Sequence, residues 1–513
     1  MKKQLLAVVL LAVAVAGCSP DPVEPPSNAG ASAGSENKKE ILVPTKVRVY
    51  VGTYTNGDSK GIYQFDLDLK TGKATAPVLA AEAKNPSFVA IHPNGKYLYS
   101  VSEIADFEGE KTGGVSAYSI AAESGALTLL NATGSGGRGP CHLVTDDAGK
   151  NVLVANYGEG SIACIPIKED GSLADASAVV QHEGSSVNKN RQAGPHAHSI
   201  NLDAANGFAF AADLGLDKVL VYGFDGEKGT LYASAAADAD VAPGSGPRHF
   251  AFHTGGKYAY VINEMLCTVT GFSYDAASGK LTEIQTLSTL PGEVEKGFST
   301  AEIVAHPSGK FLYGSNRGHD SIVMYAVDEA TGKLTYLGNE STQGKTPRNF
   351  ALDPTGNYLL AENQGSGTIV LFSIDQDSGK LTATGDVVKV ANLAQIANVI
   401  APVLTQDDKL LRQTIFEALA MFVGRRAGNS LRLGYSGPVV PSPEFDSVAM
   451  LDGAAILSEG NELYVFAVNR STEVNVELTV ELSGSHLEPV SCDLLHHSDP
   501  TTQNTRDLSL IHN

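Results

Sequence analysis

Three arginines, three histidines and three glutamates of this chain sit at equivalent places in one repeated segment. The segment reads Pro-x-x-Φ-x-Φ-x-x-x-x-Gly-Lys-Φ-Φ-Φ-x-x-Asn-x, with Φ apolar. Copies run from Asn85 to Glu103, Gly139 to Tyr157, Gly246 to Glu264, Ser299 to Arg317 and Thr346 to Gln364, and a copy from Gly194 to Leu214 carries two extra residues. Near the start of the copies stand Ser87/Phe88, Cys141/His142, His198/Ser199, Arg248/His249, Ala301/Glu302 and Arg348/Asn349. Near the end stand Ser102/Glu103, Asn156/Tyr157, Asp213/Leu214, Asn263/Glu264, Asn316/Arg317 and Asn363/Gln364. Flanking positions stay apolar while these vary, so the scaffold does not demand one residue type there. Arg248, Arg317 and Arg348 beside Glu264 and Glu302 read as a bidentate anion site, because guanidinium forks match carboxylate or phosphate geometry. Two plainer readings stand beside it: each arginine pairs with a neighbouring glutamate, and His142, His198 and His249 line a wet channel mouth. The rim holds more donors than such pairing needs. His92, His253 and His306 instead share one turn register with Asp353, which predicts a turn role.

Each copy is two alternating apolar runs around a short polar turn, the signature of a hairpin. Hairpin strands are antiparallel, so the start of the first and the end of the second lie on one rim. A second repeat keeps step: a turn like Ser/Thr-Gly-Lys-Leu-Thr begins at Thr71, Ser124, Asp170, Lys228, Ser278, Thr331 and Ser378. Successive copies are about 46 to 58 residues apart, the period of a radially repeated β architecture. Four strands per unit and seven units predict an all-β, seven-bladed β-propeller over residues 46–387.

The chain has 513 residues, and a propeller of this period uses roughly 300 to 350, so a further part is expected. Its 57 acidic and 37 basic residues give a net charge of −20 without a basic cluster, which argues against a nucleic-acid partner. The absence of Trp weakens polysaccharide stacking. Lys2-Lys3, the apolar run Leu5 to Ala16 and Val15-Ala16-Gly17-Cys18 predict an export signal over 1–18. Its end resembles a bacterial lipobox. Cys18 would then be lipidated, placing the protein in the cell envelope with a lipid anchor as its only membrane contact. Residues 19–45 read as a flexible tether. Cys141, Cys164, Cys267 and Cys492 lack metal or disulfide spacing.

His196-Ala197-His198-Ser199, Pro243-Gly244-Ser245-Gly246-Pro247-Arg248-His249, Tyr260-Val261-Ile262-Asn263-Glu264, Ser315-Asn316-Arg317-Gly318 and Thr346-Pro347-Arg348-Asn349-Phe350 resemble the lactonase family of seven-bladed propellers. That family includes bacterial 6-phosphogluconolactonases and fungal carboxymuconate cyclases, and the resemblance runs from about Val47 to Val388. It implies hydrolysis of a small sugar lactone, with His198, Arg248, Glu264 and Arg317 as catalytic residues. Glu103, His142, His249, Glu302 and Arg348 would bind substrate. Opening a lactone needs a base to activate water and a cation for the oxyanion, with no metal or cofactor required. Glu264 or His198 is assigned the first task, Arg248 and Arg317 the second. Export sits awkwardly with a phosphorylated substrate, which makes a free aldonolactone a competitor.

From Val388 the apolar residues recur at three and four, predicting helices over Ala391–Leu404 and Leu410–Phe422 within residues 388–428. Alternation from Ser447 to Leu482 predicts a small β-sandwich over 429–513. Arg412-Gln413-Thr414-Ile415-Phe416 and Ala467-Val468-Asn469-Arg470-Ser471 resemble the end of an α-L-arabinofuranosidase. The barrel bearing that enzyme's two carboxylates has no counterpart here, so the tail is expected to be inert as a glycosidase, and the junction suggests a chimeric reading frame. The blade begun at Val47 is then expected to lack its innermost strand. A non-catalytic binding propeller and an arabinofuranosidase-like remnant are the alternative functions.

Overall fold

Every repeated turn carries its glycine in the left-handed region, with φ of 65° at Gly72, 70° at Gly125, 82° at Gly171, 62° at Gly229, 76° at Gly279, 70° at Gly332 and 69° at Gly379. A side chain there is strained. It would also collide, since a Cβ on Gly332 falls 2.3 Å from the Tyr258 ring and one on Gly379 falls 2.5 Å from Phe311. The turn carbonyls meet the preceding sheet: Tyr50, Tyr99, Tyr260 and Tyr313 hydroxyls donate to the oxygens of Gly125, Gly171, Gly332 and Gly379 at 2.7, 3.1, 2.8 and 2.9 Å. The repeat is thus a contact between neighbouring sheets as well as a turn. His92, His253 and His306, each in the first hairpin turn of its blade, likewise meet the same turn of the next blade, bonding the carbonyls of Gly149, Gly309 and Gly356 at 2.9, 2.7 and 2.8 Å.

The computed structural model describes residues 46 to 398 without a break and, outside them, separate strands only. Seven antiparallel sheets follow one another along 46 to 398. Blades two to seven each run from the inside outward in chain order. The third, for instance, is Pro140–Thr145, Asn151–Asn156, Ser161–Pro166 and Ala178–Gln181. Apolar core residues gather in seven clusters, one at each junction between neighbouring blades. Stability therefore rests on interblade faces, each strand burying residues toward both neighbours.

The first blade corrects the sequence reading. Its inner strand is Leu393–Asn398, which pairs with Lys46–Thr53, so the segment expected to be helical from Ala391 is a strand where it is described. Propeller pairing thus extends past the predicted boundary at residue 387. The open edge of Val49–Thr53 needs a partner along all five of its residues, and that demand outweighs the ambiguous apolar spacing. Leu393 is fully buried in the cluster joining the seventh and first blades, with Val388 and Val390. Gln395 reaches the second blade, its Oε1 accepting the Val89 N–H at 2.8 Å. Residues 399–404 and the helix expected over Leu410–Phe422 lie outside the described residues, apart from a strand at Lys409–Leu410.

The chain divides into two compact units, Val43–Ala401 and a second formed by Met1–Leu42 with Pro402–Asn513. In the second, Asn429–Leu431, Leu451–Leu457, Glu462–Asn469, Leu6–Val15, Leu487–His497 and Ile511–His512 form one six-stranded sheet in that order. The alternation from Ser447 reads as strands as far as Asn469, and its remainder to Leu482 lies outside the described residues. Cleavage before Cys18 would remove Leu6–Val15, so this sheet describes the uncut chain. Cys18 and the tether lie outside the described residues. Among the described residues no helix is long and apolar enough to cross a membrane.

Candidate active site

The inner strands share an irregularity at one end. Pairing skips between Pro140 and His142, Ala197 and Ser199, Pro247 and His249, Thr300 and Ile303, and Pro347 and Asn349. The residues lifted out of register are Cys141, His198, Arg248, Ala301 with Glu302, and Arg348. The closing strand repeats the bulge at Ala394. A bulge leaves its extra residue unpaired and re-aims the side chain, so equivalent bulges deliver chemically different groups to one mouth.

Glu264 is the centre of the largest group. Arg248 Nε donates to its Oε2 at 3.1 Å, Arg317 Nη2 lies 3.0 Å from the same oxygen, and Arg191 Nη2 donates to Oε1 at 2.7 Å. Arg248 Nη1 also donates to Ala301 O at 2.9 Å, and Arg317 Nη2 to Thr300 O at 2.7 Å. Burial pushes the Glu264 carboxyl up, but Arg317, Arg248 and Arg191 outweigh it and hold it at about 2. A carboxylate so saturated is a poor base. Arg248 is lowered to about 10 by burial and by Arg317 and Arg348, and stays a cation at neutral pH.

A second group centres on Glu302. His249 Nδ1 lies 2.9 Å from its Oε1, and Asn349 Nδ2 donates to Oε2. Burial raises this carboxyl to about 7 against the Ile303 N–H, Arg248 and His142. A third joins Glu103, whose Oε2 accepts the Tyr54 hydroxyl at 2.8 Å, while Arg348 Nη2 donates to that hydroxyl at 2.9 Å. Between them lie the rings of His142, His198 and His249. His249 has its centroid 5.2 Å from His142 and 5.3 Å from His198. Burial holds all three imidazoles well below their ordinary value, helped at each by neighbouring positive groups, so they are neutral. Cys141 Sγ lies 3.7 Å from His198 Nδ1, and burial pushes that thiol up, out of thiolate chemistry.

All nine residues singled out from the sequence for this rim thus converge on one mouth. The sequence reading missed Arg191 and Tyr54. Arg191 lies in the Gly-, Ser- and Asn-rich stretch between Gln181 and Ala197, outside the repeat that revealed the others, and only that stretch's irregular length hinted at it.

Glu362, paired with Asn349, was also missed. It is fully buried and neither carboxyl oxygen has a partner at full hydrogen-bond geometry among the described residues, the Ala394 N–H being the one backbone group close enough to favour its charged form. Burial raises it well above its ordinary value despite Arg348, and Glu302 pushes the same way. The fold therefore keeps a proton that the unfolded chain releases above about pH 4.3. From there upward, through the folded value, stability falls by up to about 1.4 kcal/mol per pH unit. Glu362→Gln, neutral at every pH, is expected to flatten this slope. Urea midpoints of the propeller at pH 5 and pH 8 should lie closer together in the variant. Parallel profiles would mean that Glu362 is ionised in the fold.

The family described as lactonase, 7-bladed beta-propeller matches residues 48–397. The chain belongs to this family. The match takes in the closing strand, as the pairing of Leu393–Asn398 requires. The α-L-arabinofuranosidase C-terminal domain matches residues 380–509, so the two overlap across the last outer strand and the closing strand of the lactonase propeller. A 6-phosphogluconolactonase of Bacillus subtilis is 40% identical over 306 residues, covering 60% of this chain and 85% of its own. One of Formosa agariphila is 37% identical over 306 residues, 59% of this chain and 85% of its own. The solved periplasmic gluconolactonase of Pseudomonas aeruginosa is 32% identical with a TM-score of 0.66, covering 70% of this chain and 100% of that one.

Proposed function

We propose that the propeller hydrolyses a sugar lactone to its hydroxy acid. The observation that carries this reading is the mouth itself, where buried Arg248 and partly buried Arg317 stand with the neutral imidazole of His198. Water adds to the lactone carbonyl as His198 takes its proton. The two guanidinium groups, preorganised on Glu264, face the oxyanion that forms. Collapse of the tetrahedral intermediate breaks the acyl carbon to ring oxygen bond. The proton held on His198 passes to that oxygen, which leaves as a hydroxyl of the same molecule. Saturation of Glu264 by three arginines favours His198 over Glu264 as the base and makes Glu264 the residue that fixes the cations.

Positive charge is in excess at the mouth: Arg191, Arg248, Arg317 and Arg348 face Glu103 and Glu264, with Glu362 neutral and Glu302 raised to about 7. In a protein of net charge −20 this favours an anionic lactone, and the named 6-phosphogluconolactonase relatives agree with a phosphorylated one. A free aldonolactone is the second reading. The export pattern ending at Cys18 and the periplasmic relative favour it. A mature chain starting at Cys18 would mark the exported form. The comparisons support neither a purely binding propeller nor a glycosidase.

The test is hydrolysis of glucono-δ-lactone and its 6-phosphate by the purified protein in a pH-stat, with spontaneous opening subtracted. At least one is expected to open well above the spontaneous rate. Equality with the spontaneous rate for both sinks the reading.

A further inference from the structure

We propose that Arg191 is the residue through which this site reads a negatively charged substituent, a phosphate ester or carboxylate remote from the lactone carbonyl. The proposal rests on the lactonase reading above and assigns a role in specificity to a segment outside the repeat.

That segment, between Ala178–Gln181 and Ala197–Leu202, is fixed at both ends on one buried carboxylate. Asp213 Oδ2 lies 2.7 Å from His182 Nδ1, and Oδ1 accepts the N–H groups of His196 at 2.7 Å and Gly215 at 2.9 Å. At the equivalent place other blades carry asparagine. Asn156, Asn316 and Asn363 donate to backbone carbonyls of Ser135, Thr289 and Thr342 at 3.0, 3.0 and 3.1 Å. Asp213 with His182 replaces that bond by a carboxylate–imidazole anchor beneath the loop. Within the loop Gln192 is fully buried, donating to Leu214 O at 2.9 Å and accepting Asn188 N–H at 3.0 Å. Arg191, next to it, is therefore held in place.

Its guanidinium differs from its neighbours. The Arg191 side chain is 42% exposed, against 3% for Arg248 and 15% for Arg317. Nη2 alone is engaged among the described residues, donating to Glu264 Oε1 and, at 3.2 Å, to the Tyr157 hydroxyl. Glu264 already has two cations, Arg248 and Arg317, on its other oxygen and needs no third for neutralisation. Nη1, with both its hydrogens, and Nε, on the opposite side of the group, remain as separate donors, so phosphate or carboxylate oxygens would be held there by the exposed cation through single hydrogen bonds.

Arg191→Ala is expected to lower kcat/KM for 6-phosphoglucono-δ-lactone by about 10- to 100-fold, mainly through KM. The loss on glucono-δ-lactone should be several-fold smaller, and Arg191→Lys should recover part of the difference. A lactone bearing a carboxylate, glucaro-lactone, shows whether Arg191 accepts either anion. Asp213→Asn leaves Arg191 in place but loosens its anchor, and should move the same ratio in the same direction by less. Equal losses on charged and free lactones would overturn the proposal, because Arg191 would then act only through Glu264. So would a wild-type protein without preference for the charged substrate, an outcome that leaves the lactonase reading intact. Hydrolysis of neither lactone sinks the lactonase reading, and calorimetry then judges Arg191 separately: 6-phosphogluconate binding unaffected by Arg191→Ala overturns it.

Discussion

Arg248→Ala is expected to lower kcat/KM for the better of the two lactones by about 10²–10³, the usual effect of losing one oxyanion donor. The side chain is 3% exposed and holds Glu264 Oε2 and Ala301 O at once, so its guanidinium is fixed before substrate arrives. Preorganisation of this kind lowers the barrier because the donor need not move as charge develops. Arg248→Lys should recover little, since an ammonium cannot make both bonds with one planar fork. Removing one member of an isolated buried ion pair costs about 3–5 kcal/mol. Here Arg191 and Arg317 still neutralise Glu264, so the melting temperature should fall only modestly. Full activity in the alanine variant would exclude Arg248 from the chemistry. A melting temperature far below wild type would assign the loss to unfolding instead.

The second large effect concerns ring closure. A chain ending at Ala401 should retain a cooperative propeller transition, whereas one ending at Val390 should lose on the order of 5 kcal/mol or more. The shorter chain forfeits the ladder from Val49 to Thr53, the burial of Leu393 and the Gln395 bond to the second blade. It also exposes an unpaired inner edge, which invites association between copies. Denaturant melts with light scattering separate the outcomes. Equal stability of the two truncations would show that interblade packing alone closes the ring. Leu393→Ala in the full chain tests the same point more gently, at about 2–5 kcal/mol.

Much of this architecture is legible from residues because it is periodic. Gly332 and Gly379 recur since a positive φ and an aromatic ring from the preceding blade leave no room for a Cβ. His198, Arg248 and Arg348 could be placed on one rim because each occupies the bulge of an equivalent strand, and a shared register survives in the sequence even where residue types differ. Leu393–Asn398 was misread because apolar residues in so short a run fit helix and strand alike. What chose between them was the vacant edge of a strand more than three hundred residues earlier in the chain. Arg191 was illegible for the opposite reason, as its segment repeats nothing.

Local spacing by itself determined the number of blades, the rim on which the functional groups gather and the residue types gathered there. These follow from backbone alternation and turn stereochemistry, which act between near neighbours. Only the tertiary structure decided the state of those groups. Three guanidiniums from three parts of the chain make Glu264 a fixed counter-ion, while burial leaves Glu302 at about 7 and His198 neutral. Proton affinity depends on lost solvent and on charges a few ångströms away. In a propeller those charges come from other blades, so their distances exist only once the ring has closed.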